Sequence, residues 1–188
     1  MKSCLEKDIW QYGDPENFDL KVALSKKLKV NTENIVIGEG IDALLGYLVR
    51  LIVNKKTTVI TSLGAYPTFN YHVNASGGKL VFVPYDNYHE NLEALNQAVK
   101  KYGAKLVYLA NPDNPMGTVH EAAKIDNFIK NLPEDCLLCL DEAYSDFSPK
   151  RYIPNIDINN KKVIRFRTFS KAYGLAGARI GYAFGHKK

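Results

Sequence analysis

The chain has 188 residues, and with 46% hydrophobic and 11% aromatic residues it can bury the core of one large domain. Its formal charge is +5, and many of its basic residues stand in isolated pairs, the usual pattern of solvated helix ends. No basic stripe with interleaved aromatic residues indicates nucleic-acid binding. No apolar run approaches the roughly 20 residues of a membrane span, and MKSCLEKDIW carries no signal-peptide core. We therefore expect neither nucleic acid nor a membrane as a partner. The odd number of cysteines, three, favours a reducing, cytoplasmic setting.

Short apolar runs alternate with segments of helical spacing along the chain. The runs that predict strands are, in chain order, NIVIG, TTVIT, KLVFVP, KLVYLA, CLLCLD, VIRFRT and ARIGYAFG. Helices are predicted over about 41–53, over YPTFNYHVNASGG from its proline to its paired glycines, over NLEALNQAVKKYG with a stop at Gly103, and over about 126–132. Residues 148–162 predict a long exposed loop.

The predicted strands are apolar almost throughout, which is typical of strands that are buried on both faces. Such strands, alternating with helices, predict an α/β fold with a mostly parallel sheet and helices on both sides, in three α/β/α layers. In a sheet of this kind, ligands bind beyond the carboxyl ends of the strands. The residues that directly follow each strand are therefore the candidates for a functional site.

Several chemically distinctive residues occupy those positions. GEGID, with Gly40, Ile41 and Asp42, follows the first strand; Tyr66 follows the second; Asn114 lies in NPDNPMG after the fourth; Asp141 and Tyr144 lie in DEAY after the fifth; Thr168, Ser170 and Lys171 end and follow the sixth; and Arg179 comes eight positions after Lys171. Glycines before a helix let backbone N–H groups approach an anion. Taken singly, each residue has an ordinary structural explanation, such as a helix cap, a turn residue or a solvated lysine. Together they provide a lysine nucleophile, a carboxylate, two phenols, an amide and an anion cradle, which is the set that an aromatic, phosphorylated, carbonyl-bearing cofactor requires.

Six motifs in this order carry a resemblance to a known family: YGDPE, GEGID, GAYPTF, NPDNPMGT, DEAYSDF and TFSKAYGLAGARIGY. The sequence resembles the fold-type-I pyridoxal-phosphate-dependent aminotransferases and, within them, the histidinol-phosphate aminotransferase group. The resemblance runs from about Tyr12 to the end of the chain. It implies that residues 1–188 correspond to the large, cofactor-binding domain of the fold-type-I transferases, with a shortened N-terminal arm and without the small C-terminal domain.

The resemblance also implies a role for each candidate residue toward pyridoxal 5'-phosphate. Lys171 would form the Schiff base and move the proton at the substrate α-carbon, and Asp141 would pair with the pyridine nitrogen and strengthen the ring as an electron sink. The other contacts implied are Tyr144 and Asn114 to the phenolate oxygen, Tyr66 against the ring face, and Gly40, Ile41, Asp42, Thr168, Ser170 and Arg179 around the phosphate. Tyr12 would reach the phosphate bound by a partner chain, so a homodimer is expected.

The expected reaction is amino-group transfer between an amino acid, or a phosphorylated amine like histidinol phosphate, and a 2-oxo acid. Two alternatives stay open on the residues alone: decarboxylation of a phosphorylated amino acid, and a non-catalytic fragment that binds the cofactor or dimerises. The cofactor motifs are common to the two reactions and do not separate them.

Cys136 and Cys139 form a C-x-x-C pair, a spacing that also occurs in redox and metal sites. In the strand CLLCLD, however, residues three apart point to opposite faces of the sheet. We therefore predict that both cysteines pack in the core and that no metal is bound.

Overall fold

A computed structural model describes residues 10–187. The helices are α1 (Phe18–Leu28), α2 (Ile41–Ile52), α3 (Pro67–Ala75), α4 (Leu92–Tyr102) and α5 (Ala122–Asn131). The strands are β1 (Ile35–Gly38), β2 (Thr58–Ser62), β3 (Lys79–Val83), β4 (Leu106–Ala110), β5 (Leu137–Asp141), β6 (Val163–Thr168) and β7 (Gly181–Gly185). Within this part of the chain, no helix is both long enough and apolar enough to cross a membrane.

The seven strands form one sheet in the order β1-β7-β6-β5-β4-β2-β3. β7 runs antiparallel to both of its neighbours, β1 and β6, and the other pairs are parallel. The prediction of a mostly parallel sheet is confirmed. The carboxyl ends of β4, β5 and β6 consequently meet at one edge of the sheet, close to the beginning of α2.

Helices cover both faces of the sheet, as the uniformly apolar strands predict. On one face, α2 and α3 bury a cluster that includes Leu45, Phe69 and Tyr108. On the other face, α4 and α5 pack against alternate strand residues such as Val107 and Leu109. The three-layer architecture follows from this alternation, because neighbouring residues of a buried strand supply opposite layers.

Cys139 of β5 and Cys136, which directly precedes that strand, also pack on opposite faces of the sheet. Cys139 packs in the α2/α3 cluster and Cys136 in the α4/α5 cluster, and both are buried free thiols. Burial raises the pKa of the Cys136 thiol to about 12 and also raises that of Cys139. The prediction of core packing is confirmed for this pair, and residues 10–187 contain no group of three or more His, Cys, Asp or Glu side chains that could hold a metal.

Three local predictions differ from the structure. α1 is missing from the predicted helices, although Asn17 before it and the two lysines of its last turn are usual helix-end residues. In the structure Asn17 and Lys29 flank it in left-handed conformations, and the Asn17 side chain makes no capping bond. α5 begins at Ala122, earlier than the predicted 126, since its preceding residue Glu121 makes no capping bond either. Strand β7 begins at Gly181, because Ala176–Ala178 forms a 3₁₀ turn before it.

The segment 148–162 is not fully exposed, contrary to the prediction. It contains the 3₁₀ turn Lys150–Tyr152 and a buried Pro154, while Ile156 and Ile158 pack against the cluster beneath α1. Pro154, Ile156 and Ile158 alternate with exposed polar residues, a period-2 pattern that the prediction of an exposed loop did not take into account.

Candidate active site

A cavity of about 180 Å³ lies at the carboxyl ends of β4, β5 and β6, beside the N-terminus of α2. Its walls bring together ten of the residues that the sequence singles out: Ile41, Asp42, Tyr66, Asn114, Asp141, Tyr144, Thr168, Ser170, Lys171 and Arg179. Tyr108, Ala110, Pro112, Ala143 and Ala176 complete the lining. Residues spread over 139 positions of the sequence thus share one cavity because parallel strands end at a common edge.

The N-terminus of α2 forms one end of the cavity. Gly40 is its N-cap residue, has φ +88°, and offers no side chain to the first-turn N–H groups. A Cβ atom at Gly40 would collide with the Arg179 guanidinium. A Cβ at Gly181 would lie 2.7 Å from the carbonyl carbon of Gly40 and 2.8 Å from the backbone nitrogen of Ile41. Glycine at both positions therefore keeps free backbone donors next to a cation.

The arginine at this end of the cavity is anchored by the chain around it. Arg179 donates to the carbonyl oxygens of Ala176, at 3.0 Å, and of Glu39, at 3.3 Å. A guanidinium has five N–H donors, so further donors are left for a ligand. The helix end and this cation together make an anion-binding corner.

Two hydroxyl groups extend the same corner. Thr168 Oγ1 lies 2.9 Å from Ser170 Oγ and accepts from the Ser170 backbone N–H at 3.1 Å. Asp42, by contrast, turns its carboxylate away to His72 of α3, with Oδ1 3.0 Å from Nε2. Asp42 therefore contributes to the corner through its backbone.

Lys171 lies on the turn that follows β6. Its Nζ is 5.3 Å from the centroid of the Tyr144 ring, and its side chain is exposed on the wall of the cavity. The turn closes by a bond from the Gly174 N–H to the Lys171 carbonyl at 2.9 Å, with Gly174 at φ +65°. The turn thus presents a primary amine next to a phenol ring at the mouth of the cavity.

Asp141 ends β5 at the buried side of the cavity. Its Oδ1 accepts from the Ala143 N–H at 2.9 Å, and its Oδ2 accepts from the Tyr108 hydroxyl at 2.8 Å. Burial raises the pKa of Asp141, while the bond from Tyr108, the bond from Ala143 and the charge of Lys171 act in the opposite direction. The site therefore contains a desolvated carboxyl group with two protein donors.

The loop that carries Asn114 is held on several sides. The Asp113 N–H donates to the Thr118 carbonyl oxygen, the Asp113 carbonyl oxygen accepts from the Gly117 N–H, and Oδ2 accepts from the Tyr85 hydroxyl at 2.9 Å. Asn111 donates to the carbonyl oxygens of His120 and Tyr152 at 3.2 and 3.1 Å. Both Asn–Pro bonds of the loop, at 111–112 and 114–115, are cis. The hydrogen bonds of Asn111 and Asp113 support the turn from which Asn114 projects.

The cavity contains a tyrosine that the sequence did not single out, Tyr108, and it does not contain Tyr12 of the same chain. Tyr108 sits inside an apolar strand, where an aromatic residue is most simply explained as core; its only sequence signal is a hydroxyl two residues before the strand ends. Tyr12 is fully exposed and is absent from the lining of this cavity. Its predicted contact with a partner chain stays a prediction.

Comparisons with known proteins agree with this geometry. The family model described as "Aminotransferase class I and II" matches residues 5–188. The histidinol-phosphate aminotransferase of Moorella thermoacetica is 36% identical over 93% of this chain and 46% of its own length, and histidinol-phosphate aminotransferase 1 of Idiomarina loihiensis is 34% identical over 100% of this chain and 52% of its own. The crystal structure of histidinol-phosphate aminotransferase from Sinorhizobium meliloti in complex with pyridoxal-5'-phosphate superposes with a TM-score of 0.93 at 56% identity, covering 95% of this chain and 49% of that one.

The fold and the cavity define an α/β domain whose candidate site lies at the carboxyl ends of a mostly parallel sheet. The chain belongs to the aminotransferase class I and II family. It spans about half the length of the curated relatives it matches.

Proposed function

We propose that this chain is the cofactor-binding part of a pyridoxal-phosphate-dependent aminotransferase. The observation that carries the proposal is the convergence of Lys171, Asp141 and Arg179 on one cavity that also receives the N-terminus of α2. An amine, a buried carboxyl group and an anion-binding corner are the three functions that such chemistry requires.

The donor set fits pyridoxal phosphate at both ends. The glycine-lined corner with Arg179 suits a phosphate, because free backbone N–H groups and a guanidinium fork complement its oxygens. Asp141, at the buried end, suits a protonated ring nitrogen. Tyr66, Tyr144 and Asn114 line the space between and offer a ring face, a phenol and an amide.

In this proposal the bound cofactor supplies an electron sink for the electrons released at the substrate α-carbon. Lys171 holds the cofactor and moves the proton at that carbon, and Asp141 keeps the ring nitrogen charged. Arg179, Thr168, Ser170 and the first N–H groups of α2 hold the phosphate. Tyr144 and Asn114 orient the ring through its phenolic oxygen.

We propose an amino donor of the histidinol-phosphate type and a 2-oxo acid acceptor, since the named relatives at 34–36% identity are histidinol-phosphate aminotransferases. The decarboxylase alternative has less support. The L-threonine-O-3-phosphate decarboxylase of Porphyromonas gingivalis superposes well, with a TM-score of 0.81, but at 22% identity it shows the fold alone. We further propose a cytoplasmic homodimer in which Tyr12 reaches the partner's phosphate site, and we assign residues 1–188 to the large domain.

Covalent trapping tests the assignment of Lys171. The chain is incubated with pyridoxal phosphate and then reduced with borohydride, and the modified peptide is located by mass spectrometry. We expect one adduct, on Lys171, and its loss in Lys171→Ala. The exposed Lys150, on the 3₁₀ turn outside the cavity, is the matched control, and Lys150→Ala should keep the adduct. The same reducible adduct in Lys171→Ala would contradict the proposal.

Conversion of the bound cofactor to its amine form tests the reaction class. Histidinol phosphate added to the loaded chain should produce pyridoxamine phosphate, measured by chromatography after acid release. Release of carbon dioxide from a phosphorylated amino acid, without formation of pyridoxamine phosphate from any amine, would favour the decarboxylase instead.

A further inference from the structure

Tyr108 touches the candidate site from inside the sheet. It is completely buried in β4, and its ring stacks on Phe69 of α3 with centroids 4.7 Å apart and planes 22° apart. Its hydroxyl donates to Asp141 Oδ2 at 2.8 Å. The register of the sheet sets this contact, because Tyr108 and Ala110 of β4 lie opposite Cys139 and Asp141 of β5.

The Tyr108 hydroxyl provides one of two hydrogen bonds that orient the Asp141 carboxyl group. The Ala143 N–H binds Oδ1 at 2.9 Å, and Tyr108 binds the other oxygen. One donor on each oxygen fixes rotation about the Cβ–Cγ bond. A carboxylate has about four lone-pair positions, so acceptor capacity toward the cavity is retained.

We propose that Tyr108 is a positioning residue for Asp141, whose hydroxyl orients the carboxylate and favours its ionised form toward the ring nitrogen of the bound cofactor. This inference rests on the proposed function. The stack on Phe69 holds the phenol in place, so that the hydroxyl has one direction in which to donate.

The electrostatics around Asp141 explain why this bond matters. Burial raises the pKa of the carboxyl group, and the bond from Tyr108 is the first of the effects that lower it. The other ionisable groups that influence the pair are Glu142, Lys171, Cys139 and Glu90. Burial also raises the pKa of Tyr108 well above its usual range, so its hydroxyl stays protonated and remains a donor at neutral pH.

Tyr108→Phe tests the inference, because it keeps the stacked ring and removes only the hydroxyl. The first measurement is the titration of the Asp141 carboxyl carbon by ¹³C NMR in the chain without cofactor. We expect Asp141 to titrate at higher pH in Tyr108→Phe than in the wild type. Tyr182→Phe is the matched control: it also removes a buried hydroxyl, one that bonds to Arg167, and should leave the Asp141 titration unchanged.

The second measurement uses pyridoxal phosphate labelled with ¹⁵N in the ring. In Tyr108→Phe the ring-nitrogen signal should move toward that of neutral pyridine, and the dissociation constant of the cofactor should rise by roughly tenfold or more, as for loss of a hydrogen bond to a charged group. An Asp141 titration and a ring-nitrogen signal identical to those of the wild type would overturn the role of Tyr108. A wild-type chain that binds no cofactor would overturn the proposed function, and the titration without cofactor would still decide whether Tyr108 controls Asp141.

Discussion

At the scale of single residues, two buried carboxyl groups near the cavity differ in what surrounds them. Asp141 has a bonded donor on each oxygen and Lys171 nearby. Glu90 accepts from the Ala110 N–H at 3.0 Å through Oε2, while its Oε1 has no protein hydrogen-bond partner. We therefore expect Asp141 to act in its ionised form and Glu90 to stay protonated.

Replacement of Asp141 by asparagine tests its role in the reaction. Asp141→Asn removes the charge but keeps the size of the side chain, so the cofactor should still bind. Proton abstraction at the amine-bearing carbon of histidinol phosphate should fall by roughly a hundredfold, the usual loss when a preorganised electrostatic group is removed. Deuterium exchange at that carbon, followed by NMR, measures the rate.

The exposed Asp146 provides the control for that experiment, and Asp146→Asn should exchange deuterium at the wild-type rate. Wild-type exchange in Asp141→Asn would instead give Asp141 a purely structural role at the end of β5.

Glu90 makes a separate prediction about pH and stability. Burial, reinforced by the charge of Asp113, raises its pKa to about 8 from an ordinary value of 4.5. The folded chain favours the protonated form of Glu90. The contribution of this group to stability is therefore complete below about pH 4.5 and is lost as the pH rises to about 8. Over that range, this group should lower the free energy of unfolding by at most about 1.4 kcal/mol per pH unit.

Urea unfolding at pH 5 and pH 8 checks this. Glu90→Gln keeps an acceptor for Ala110 but cannot ionise, so its stability should fall less between the two pH values than that of the wild type. Glu93→Gln, on the exposed side of α4, should follow the wild type. Equal pH dependence in Glu90→Gln and the wild type would show that Glu90 is already ionised in the folded chain.

At the scale of secondary-structure elements, the site depends on how closely strands and helices approach. β2 and β4 pair only at Val59–Leu106 and Ile60–Val107. At the carboxyl end of β4, beyond this pairing, the Ala110 N–H donates to the Glu90 carboxyl group instead of to β2. At the other side of the cavity, Gly181 of β7 packs directly on the backbone where α2 begins.

A methyl group at Gly181 should disturb that contact. Gly181→Ala places a Cβ within 2.8 Å of backbone atoms of Gly40 and Ile41, so the strand or the helix must move. We expect a loss of stability of about 1–3 kcal/mol, typical of overpacking, and weaker binding of pyridoxal phosphate. Binding of pyridoxal, which lacks the phosphate, should weaken less, because the substitution displaces the anion-binding corner and leaves the rest of the cavity in place.

Gly177→Ala is the matched control, since a Cβ there meets nothing within 4 Å. Fluorescence titration with both ligands separates the effects. A parallel loss of affinity for pyridoxal and for its phosphate in Gly181→Ala would argue against a phosphate site at the α2 N-terminus.

At the scale of the whole molecule, the expected assembly is a homodimer with a shared site. Tyr12 is fully exposed on its own chain, and large apolar side chains such as Leu51, Leu63 and Tyr71 are exposed as well. Exposed apolar surface favours association, and a two-fold dimer is the commonest closed assembly. We therefore expect Tyr12 to lie near the neighbour's Arg179.

Tyr12→Phe should weaken retention of the cofactor by roughly 1.5–3 kcal/mol, the range for a hydrogen bond to a charged group. Equilibrium dialysis gives the affinity, and sedimentation gives the assembly state. Tyr88→Phe, at another exposed tyrosine, should bind like the wild type. A monomer that binds the cofactor tightly would refute the shared site, and Tyr12 would then be an ordinary surface aromatic residue.

Much of the site could be predicted from the sequence because its chemistry follows the strands. Apolar runs define β4, β5 and β6, and the residues just beyond them, Asn114, Asp141 and Lys171, must meet wherever parallel strands share an edge. The sequence also predicts where most helices and strands lie, because these positions depend on local signals. Such signals are the spacing of apolar residues, Pro67 at the start of α3 and Gly103 at the end of α4.

The tertiary structure alone decided what depends on contacts between distant segments. One such feature is the antiparallel direction of β7, which follows from the order of the strands in the sheet. Two others are the hydrogen bonds from Tyr108 to Asp141 and from the Ala110 N–H to Glu90, which join residues at least 20 positions apart. No periodic pattern encodes them, because a side chain's partner across a sheet is set by register and packing rather than by its neighbours in sequence. For the same reason the packing of α1, which places Leu24 and Leu28 beside β1 and β7, was decided only by the folded chain.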